Sequence, residues 1–369
     1  MAATALVRRR IRVTGTVQGV GFRPFVYRHA TRLGLCGWVR NDSAGVLIEI
    51  EGDEPAILEV SRLLLEDPPP LARVGRITSA SIPLEGDAAF AIVESGTGGA
   101  ATAPVAVDTA TCTACLAEID DPRNRRYRYP FTNCTDCGPR YTIVRAVPYD
   151  RPATTMSEFE MCAACQAEYD DPLDRRFHAQ PNACADCGPR LRWTVPGGEG
   201  DVADDPLDAA IAALRAGLIV AVKGIGGFHL AVDAGDEDAV ARLRHRKERD
   251  DKPFAVMVAN LAAARELCTL NDAAAHALTS VNRPIVIAPR HKGAGVAAGV
   301  APGLPELGVL LAYSPLHHLL LAGVGRPLVM TSGNVSDEPT THKDDDALAR
   351  LASLVDGSLG HDRGVPIRW

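Results

Sequence analysis

No uninterrupted apolar run in the sequence approaches the ~20 residues needed to span a bilayer, so no membrane partner is expected. Aromatic residues make up only 5% of the chain, which leaves little from which to build a base-stacking surface. Positive charge is not in excess either. Thirty-nine Lys and Arg face 46 Asp and Glu, a formal net charge of −7, and this excludes wholesale coating of nucleic acid. The first ten residues lack the apolar core of an export signal and place Arg8, Arg9 and Arg10 where that core should follow. A cytoplasmic, reducing setting is the expectation.

Cysteine, by contrast, is present in a strict pattern. Of ten cysteines, eight form one motif written twice. Cys112 and Cys115 are followed by Cys134 and Cys137, and Cys162 and Cys165 by Cys184 and Cys187. Each cysteine of the first set recurs fifty positions later in the second. The flanks repeat as well: Asp120-Asp121-Pro122 matches Asp170-Asp171-Pro172, and Gly138-Pro139-Arg140 matches Gly188-Pro189-Arg190. This is a tandem unit. Four disulfides would need an oxidising compartment, and a redox motif would need only one CxxC. Paired CxxC motifs at this spacing fit four-thiolate Zn2+ shells, so two structural zinc ions are expected. Cys36 and Cys268 lie in apolar stretches and are read as small core residues.

Around this centre the chain divides into three sections. Residues 8–94 alternate strand and helix patterns: a strand over 10–17, a helix over 22–33, strands near Val39 and over 46–50, a helix over 54–65, and strands over 73–82 and 89–93. The order β-α-β-β-α-β predicts a ferredoxin-like sandwich. A Gly/Ala/Thr-rich linker over 96–104 leads to the cysteine repeats, 105–195. From 203 to 369 the pattern is α/β, with a helix over 205–216 and short apolar strands at 218–222, 285–288 and 328–330. The expected class is therefore a mixed α+β and α/β multidomain chain. The last section is expected to be cut short at its end, because residues 360–369 give no capping or tail signal.

Two regions carry candidate chemistry. In the first, Gln18-Gly19-Val20-Gly21-Phe22 joins a strand to a helix. Glycines let backbone N–H groups turn inward and the helix N-terminus adds positive potential. Arg23 adds a planar fork suited to phosphate oxygens. Asn41 could orient a water but offers no basicity, so any catalysis would rest on positioning and electrostatics. In the second region, polar residues gather at strand ends. Lys223 opens a glycine-rich turn, Lys247, Arg249 and Lys252 sit at short spacing, and Ser332 and Asn334 follow an apolar strand. Together they point to a nucleotide pocket. The arginines at 123, 125, 126 and 128, and the cations from Arg242 to Lys252, read equally as phosphate contacts or solvated helix faces. His317 and His318 are adjacent, cannot chelate one metal as an i, i+4 pair does, and are read as core residues or as residues supporting a site from behind.

Residues 8–94 resemble the acylphosphatase family through Val13-x-Gly15-x-Val17-Gln18-Gly19-Val20-Gly21-Phe22-Arg23. That resemblance implies hydrolysis of an acyl phosphate, with Arg23 binding the phosphate and Asn41 positioning the water. Residues 205–363 resemble the YrdC family through K-x-R-x-x-K-P at 247–253 and T-S-G-N at 331–334, with Gly333 where that family often has alanine. This implies that Lys247, Arg249, Lys252, Ser332 and Asn334 bind ATP, with Mg2+, or an adenylate. The full order, acylphosphatase-like, two four-cysteine fingers, YrdC-like, resembles the HypF carbamoyltransferase family of [NiFe]-hydrogenase maturation. What it implies is a relay: carbamoyl phosphate is cleaved to carbamate, carbamate and ATP give carbamoyl adenylate, and a Kae-type domain passes the carbamoyl group to the C-terminal cysteine of a HypE-like acceptor. The Kae-type part would follow residue 369, so the final transfer is not expected from this chain. Two other readings differ in class. A tRNA threonylcarbamoyladenosine-type synthase would leave the first section without a purpose. A zinc-finger nucleic-acid-binding module is opposed by the acidic total.

Overall fold

The computed structural model describes residues 6–96, 98–197, 203–334 and 339–367. Expectations touching residues 1–5, Thr97 in the linker, Gly198 and residues 368–369 at the chain's end lie outside them. The chain forms two compact units. One comprises Met1–Asp108 and Asn133–Cys187, the other Thr109–Thr132 and Gly188–Trp369.

In the first unit, β1 (Leu6–Thr16), α1 (Phe22–Arg32), β2 (Cys36–Asp42), β3 (Gly45–Asp53), α2 (Glu54–Glu66), β4 (Arg73–Ile82) and β5 (Phe90–Ile92) build a sheet of order β4-β1-β3-β2-β5. This is the ferredoxin-like sandwich. The period of two decides its faces. Ile11 and Val13 on β1 oppose Ile48 and Val46 on β3. All four are fully buried in one core with Val26 and Ala30 of α1 and Ile57, Val60 and Leu64 of α2. Strand β1 begins four residues earlier than the sequence suggests, because the arginines that interrupt its apolar pattern face acidic residues on the other side of the sheet. Arg8 meets Glu49 and Glu51 at 3.0 Å, Glu85 at 2.8 Å and Asp87 at 2.6 Å, and Arg10 meets Glu49 at 2.6 Å. Cys36 is half-buried at the start of β2 and not a core residue, whereas Cys268 is buried in the second unit.

The arginine-rich face has a pH signature. Backbone N–H donation from Glu85, and then Arg8, hold the Glu51 carboxyl below its ordinary range. Burial pushes Glu49 up, but its bonds to Arg8 and Arg10 outweigh this and its pKa is lowered. Carboxyls with depressed folded pKa values stabilise the fold above their unfolded pKa, and that contribution is lost as pH falls through the folded values. Arg8→Met should cost about 3 kcal/mol, the low end for breaking a buried pair, since Arg10 still partners Glu49. Urea titration from pH 7 down to 3 checks this: the variant should lose most of its deficit at acid pH, and a constant deficit would count against the assignment.

The second unit holds an eight-stranded mixed sheet of β6 (Leu191–Thr194), β7 (Val220–Lys223), β8 (Phe228–Asp233), β9 (Ala255–Val258), β10 (Val286–Pro289), β11 (Glu306–Leu311), β12 (Leu328–Ser332) and β13 (Gly357–His361), in the order β10-β11-β9-β12-β8-β7-β13-β6. Apolar clusters cover both faces, which is why β7 reads as a continuous apolar run. β10 does not share that burial. It is an edge strand and Ile287 is 75% exposed, a correction to its reading as a buried strand. Strand β6, at the tail of the cysteine repeats, forms the other edge. The helix Pro206–Arg215 is capped by Asp205, whose side chain accepts from Leu207 N and Asp208 N, with Pro at the first position. The helix Glu237–Arg246 is capped by Asp236 and ends at Lys247, so its capping places that lysine beside the strand ends. Among the described residues no helix is long and apolar enough to cross a membrane.

Candidate functional site

In the first unit the segment Val17–Gly21 turns between β1 and α1. Gly19 and Gly21 have φ of 71° and 74°, the left-handed region that favours glycine. Gly21 is the N-cap of α1, and Arg23 stands in its first turn, 8% exposed. The side chain of Gln18 is spent on anchoring. Its Nε2 donates to Asp42 O and Gly45 O at 2.7 Å, and its Oε1 accepts from Tyr149 N at 2.9 Å. Asn41 projects from β2 next to Arg23. Because a guanidinium only donates, the amide oxygen of Asn41 faces it and accepts from Arg23 Nη2 and Nε at 3.2 and 3.3 Å. The amide NH2 is then turned towards acceptors on its other side.

A pocket of ≈ 330 Å³, counted out to its mouth, opens here between the sandwich and the cysteine-repeat segment of the same unit. Its lining includes Arg23 and Asn41 together with Arg140, Tyr149, His178 and Gln180. None of those last four is marked as a site residue by the sequence alone. Arg140 is fully buried. It donates to Cys137 O, Pro139 O, Cys134 O and Thr135 O at 2.8 to 3.1 Å and through Nε to Gly19 O. One guanidinium therefore ties the cysteine knuckle to the glycine turn. The only available signal was the repeated Gly-Pro-Arg flank.

Arg23 is held by Asp150, Nη2 to Oδ1 at 2.7 Å. An anion docking on this guanidinium and the α1 N-terminus must share the cation with that carboxylate. Asp150→Asn should therefore bind inorganic phosphate about 5-fold more tightly, the scale of a partly exposed ion pair. Calorimetric titration checks it, and equal or weaker binding would refute the competition.

In the second unit three strand ends converge. Lys223 on β7 pairs with Phe228 on β8, and His229 on β8 pairs with Ser332 on β12. Lys247 reaches Ser332 O at 2.7 Å, Asn334 O at 2.6 Å and Asn334 Oδ1 at 2.8 Å, while Ser332 Oγ donates to Asn334 Oδ1 at 2.6 Å. Burial, and then the neighbouring Arg249, lower the Lys247 pKa to about 8. Lys223 is drawn to a different set: Asp344 at 2.6 Å, His361 O at 2.9 Å and Arg363 O at 3.2 Å. Arg249 turns back on its own loop, donating to Lys252 O and Pro253 O at 3.1 and 2.8 Å, and Lys252 is exposed. Among the described residues, Lys247, Ser332 and Asn334 form one cluster at the strand ends, whereas Lys223 and Arg249 are drawn to other partners. Gly333 explains the departure from alanine. An added Cβ would sit 2.6 Å from Phe228 O, where Gly333 N already donates at 2.7 Å.

Among the described residues, most members of the basic clusters meet protein partners of their own. Arg123 pairs with Asp121 and Arg128 with Asp208, while Arg126 is buried. Arg244 donates to Gly299 O at 3.0 Å and Arg246 pairs with Asp356 at 2.8 Å. His317 is wholly buried, as a core residue should be, and His318 is half-buried.

The eight repeat cysteines gather into two groups, Cys112, Cys115, Cys134 and Cys137, and Cys162, Cys165, Cys184 and Cys187, with all Sγ atoms of a group within 4.8 Å of one another. Cys112 and Cys162 cap the helices Thr113–Asp120 and Ala163–Asp170, where a helix N-terminus favours thiolate. Sulfur–sulfur distances are 3.8 Å for Cys134–Cys137, Cys162–Cys184 and Cys184–Cys187, and 3.5 Å for Cys165–Cys187. A disulfide needs ~2.05 Å. Four sulfurs each ~2.3 Å from a central Zn2+ stand ~3.8 Å apart in a tetrahedron, so both groups fit a structural zinc.

Comparison with known proteins matches three family models along the chain. Residues 9–92 match the acylphosphatase family model, 111–144 and 161–194 the HypF finger model, and 212–368 the Sua5/YciO/YrdC model described as telomere recombination. The chain is 53% identical to carbamoyltransferase HypF2 of Cupriavidus necator over 98% of its own length and 47% of that protein. It is 49% identical over 81 residues to an acylphosphatase of Synechococcus, covering 22% of this chain and 89% of that one. Among solved structures, full-length HypF in the phosphate- and nucleotide-bound form superposes with a TM-score of 0.94 at 45% identity, over 99% of this chain and 48% of the other. The chain thus spans about half the length of the HypF relatives it matches.

Proposed function

The chain belongs to the HypF family, and from that membership we propose that it performs two linked reactions on carbamoyl phosphate. In the first unit, water attacks the phosphorus of carbamoyl phosphate, the bond from phosphorus to the acyl oxygen breaks, and carbamate leaves as inorganic phosphate forms. Arg23 and the α1 N-terminus hold the phosphoryl oxygens, and Asn41, itself oriented by Arg23, positions the water. No side chain need act as a base, because the work is stabilisation of developing charge by preset donors. In the second unit, a carbamate oxygen attacks the α-phosphorus of ATP and pyrophosphate leaves, giving carbamoyl adenylate. Lys247 fixes the Ser332–Asn334 turn at the strand ends where the nucleotide binds, with Mg2+ on its phosphates. Lys223, Arg249 and Lys252, which in this structure face other partners or solvent, would have to turn to meet the nucleotide phosphates.

The observation that carries the reading is the pocket in which an acylphosphatase-type turn and its arginine are walled by residues of the HypF finger. The relative solved with phosphate and nucleotide bound supports the same pair of ligands. Four-thiolate sites require a reducing compartment, which we take to be the cytoplasm. The product is destined for the C-terminal thiol of a HypE-like acceptor in hydrogenase maturation. ATP–pyrophosphate exchange that depends on carbamoyl phosphate is the test: zinc-loaded chain should catalyse it, and exchange that instead required threonine and bicarbonate would favour a tRNA-modifying synthase.

A further inference from the structure

The pocket holds one side chain whose chemistry the phosphate end does not use. We propose that His178 recognises the amide end of the substrate, its Nδ1 accepting a hydrogen bond from the carbamoyl NH2 and thereby selecting carbamoyl phosphate over acyl phosphates that lack an N–H. The inference rests on the proposed hydrolytic role of the pocket.

Three observations carry it. His178 lines the pocket with Arg23 and Asn41, and its Nδ1 is buried with no hydrogen-bond partner. A buried ring nitrogen without a partner calls for one. Its place is over-determined. The backbone is held at φ 53°, a left-handed conformation in which His, like Asn and Asp, is enriched among residues other than glycine. The amide N donates to Tyr169 O at 3.0 Å, the carbonyl accepts from Gln180 Nε2 at 2.8 Å, and the ring packs between Tyr169 and Phe177 at centroid distances of 4.9 and 4.7 Å. Finally, the tandem repeat offers its own comparison. Fifty residues earlier the first finger has Arg128 in the same left-handed backbone, φ 55°, paired with Asp208. The repeat keeps the backbone and changes the side chain, and the copy that reaches the pocket carries the imidazole.

The ring is suited to accepting. Burial, and then the charge of Arg23, lower its pKa to about 4, so at neutral pH it is uncharged and, with the proton on Nε2, Nδ1 presents a lone pair. An acetyl group brings only a methyl to that lone pair and leaves it unsatisfied, which is how a hydrogen-bonding site rejects an isostere.

The readout is the ratio of kcat/KM for carbamoyl phosphate to that for acetyl phosphate, measured on the full zinc-loaded chain, because a ratio cancels losses common to both. The wild-type chain should favour carbamoyl phosphate. His178→Ala should lower the ratio by roughly 10–100-fold, the effect of an unmet buried acceptor. His178→Asn, which keeps an oxygen acceptor near the Nδ1 position and tolerates the left-handed backbone, should hold the ratio within a few fold. A wild-type chain without preference, an unchanged ratio in the alanine variant, or an asparagine variant as unselective as alanine would each overturn the proposal. Hydrolysis of neither phosphate by the wild-type chain would overturn the hydrolytic reading and this inference with it. Hydrolysis of both with an unmoved ratio overturns the inference alone.

Discussion

Replacing Arg23 by alanine is expected to reduce carbamoyl phosphate hydrolysis by about 10²–10³, the usual loss when one preorganised charge-stabilising donor is removed. The magnitude follows from how the arginine is set. It is 8% exposed, held by Asp150 at 2.7 Å, and turned against the Asn41 oxygen. Its loss would remove both the fork proposed to hold phosphate and the group that orients the Asn41 amide, the proposed water-positioning group. The fold should survive, because the sandwich core of Ile11, Val13, Ile48 and Ile50 does not include it and the Asp150 carboxylate it abandons is 25% exposed. Arg23→Lys should recover part of the rate: an ammonium keeps the charge but not the planar fork. Steady-state kinetics, with circular dichroism and zinc content as controls, would decide. A folded, zinc-loaded alanine variant with more than a tenth of the wild-type rate would refute the assignment.

Much of this site was legible because its chemistry is written in contiguous residues. The turn from Val13 to Arg23, the cysteine spacing and the short apolar strand before Lys223 each announce a local structure whose geometry follows from the chain itself. The wall of the pocket was not legible. Tyr149, Asp150, His178 and Gln180 stand more than a hundred residues from the turn they face, in segments whose own patterns speak only of metal ligation. Arg140 was visible as part of a repeated flank, yet its bond to Gly19 O depends on tertiary packing. The cation-rich run from Arg242 to Lys252 left two readings open for a related reason: proximity in sequence does not tell convergence on a ligand from a solvated helix face. In fact the helix directs Arg246 to Asp356 and Lys247 alone towards Ser332 and Asn334. Charge in a sequence does not reveal which backbone carbonyls will claim it.

The second large effect concerns the metal nearest that wall. Cys184→Ser should lower the zinc content from two ions per chain to one and unfold the segment between Cys162 and Cys187. This segment has little else to hold it. Its buried apolar side chains are few, Phe177, Ala179 and Ala183 among them, and a structural zinc supplies an apparent ~10–16 kcal/mol in finger peptides, as much as the net stability of a whole domain. Serine leaves three thiolates and a hydroxyl, too poor a set to keep that ion against competing thiols or a chelator. The consequence reaches the pocket, since His178 and Gln180 lie in the loop that Cys165 and Cys184 bracket. Arg23 and Asn41 belong to α1 and β2 and stay in place. The variant should therefore lose its discrimination between carbamoyl and acetyl phosphate, and trypsin should cut at Arg175 and Arg176, which the folded finger protects. Stripping the wild-type chain with a chelator should give the same pattern, reversed by added zinc, whereas zinc should not rescue the serine variant. Metal analysis and limited proteolysis together test the chain of reasoning. Two zinc ions retained in Cys184→Ser would remove its first link, and an intact loop with one ion would remove the second.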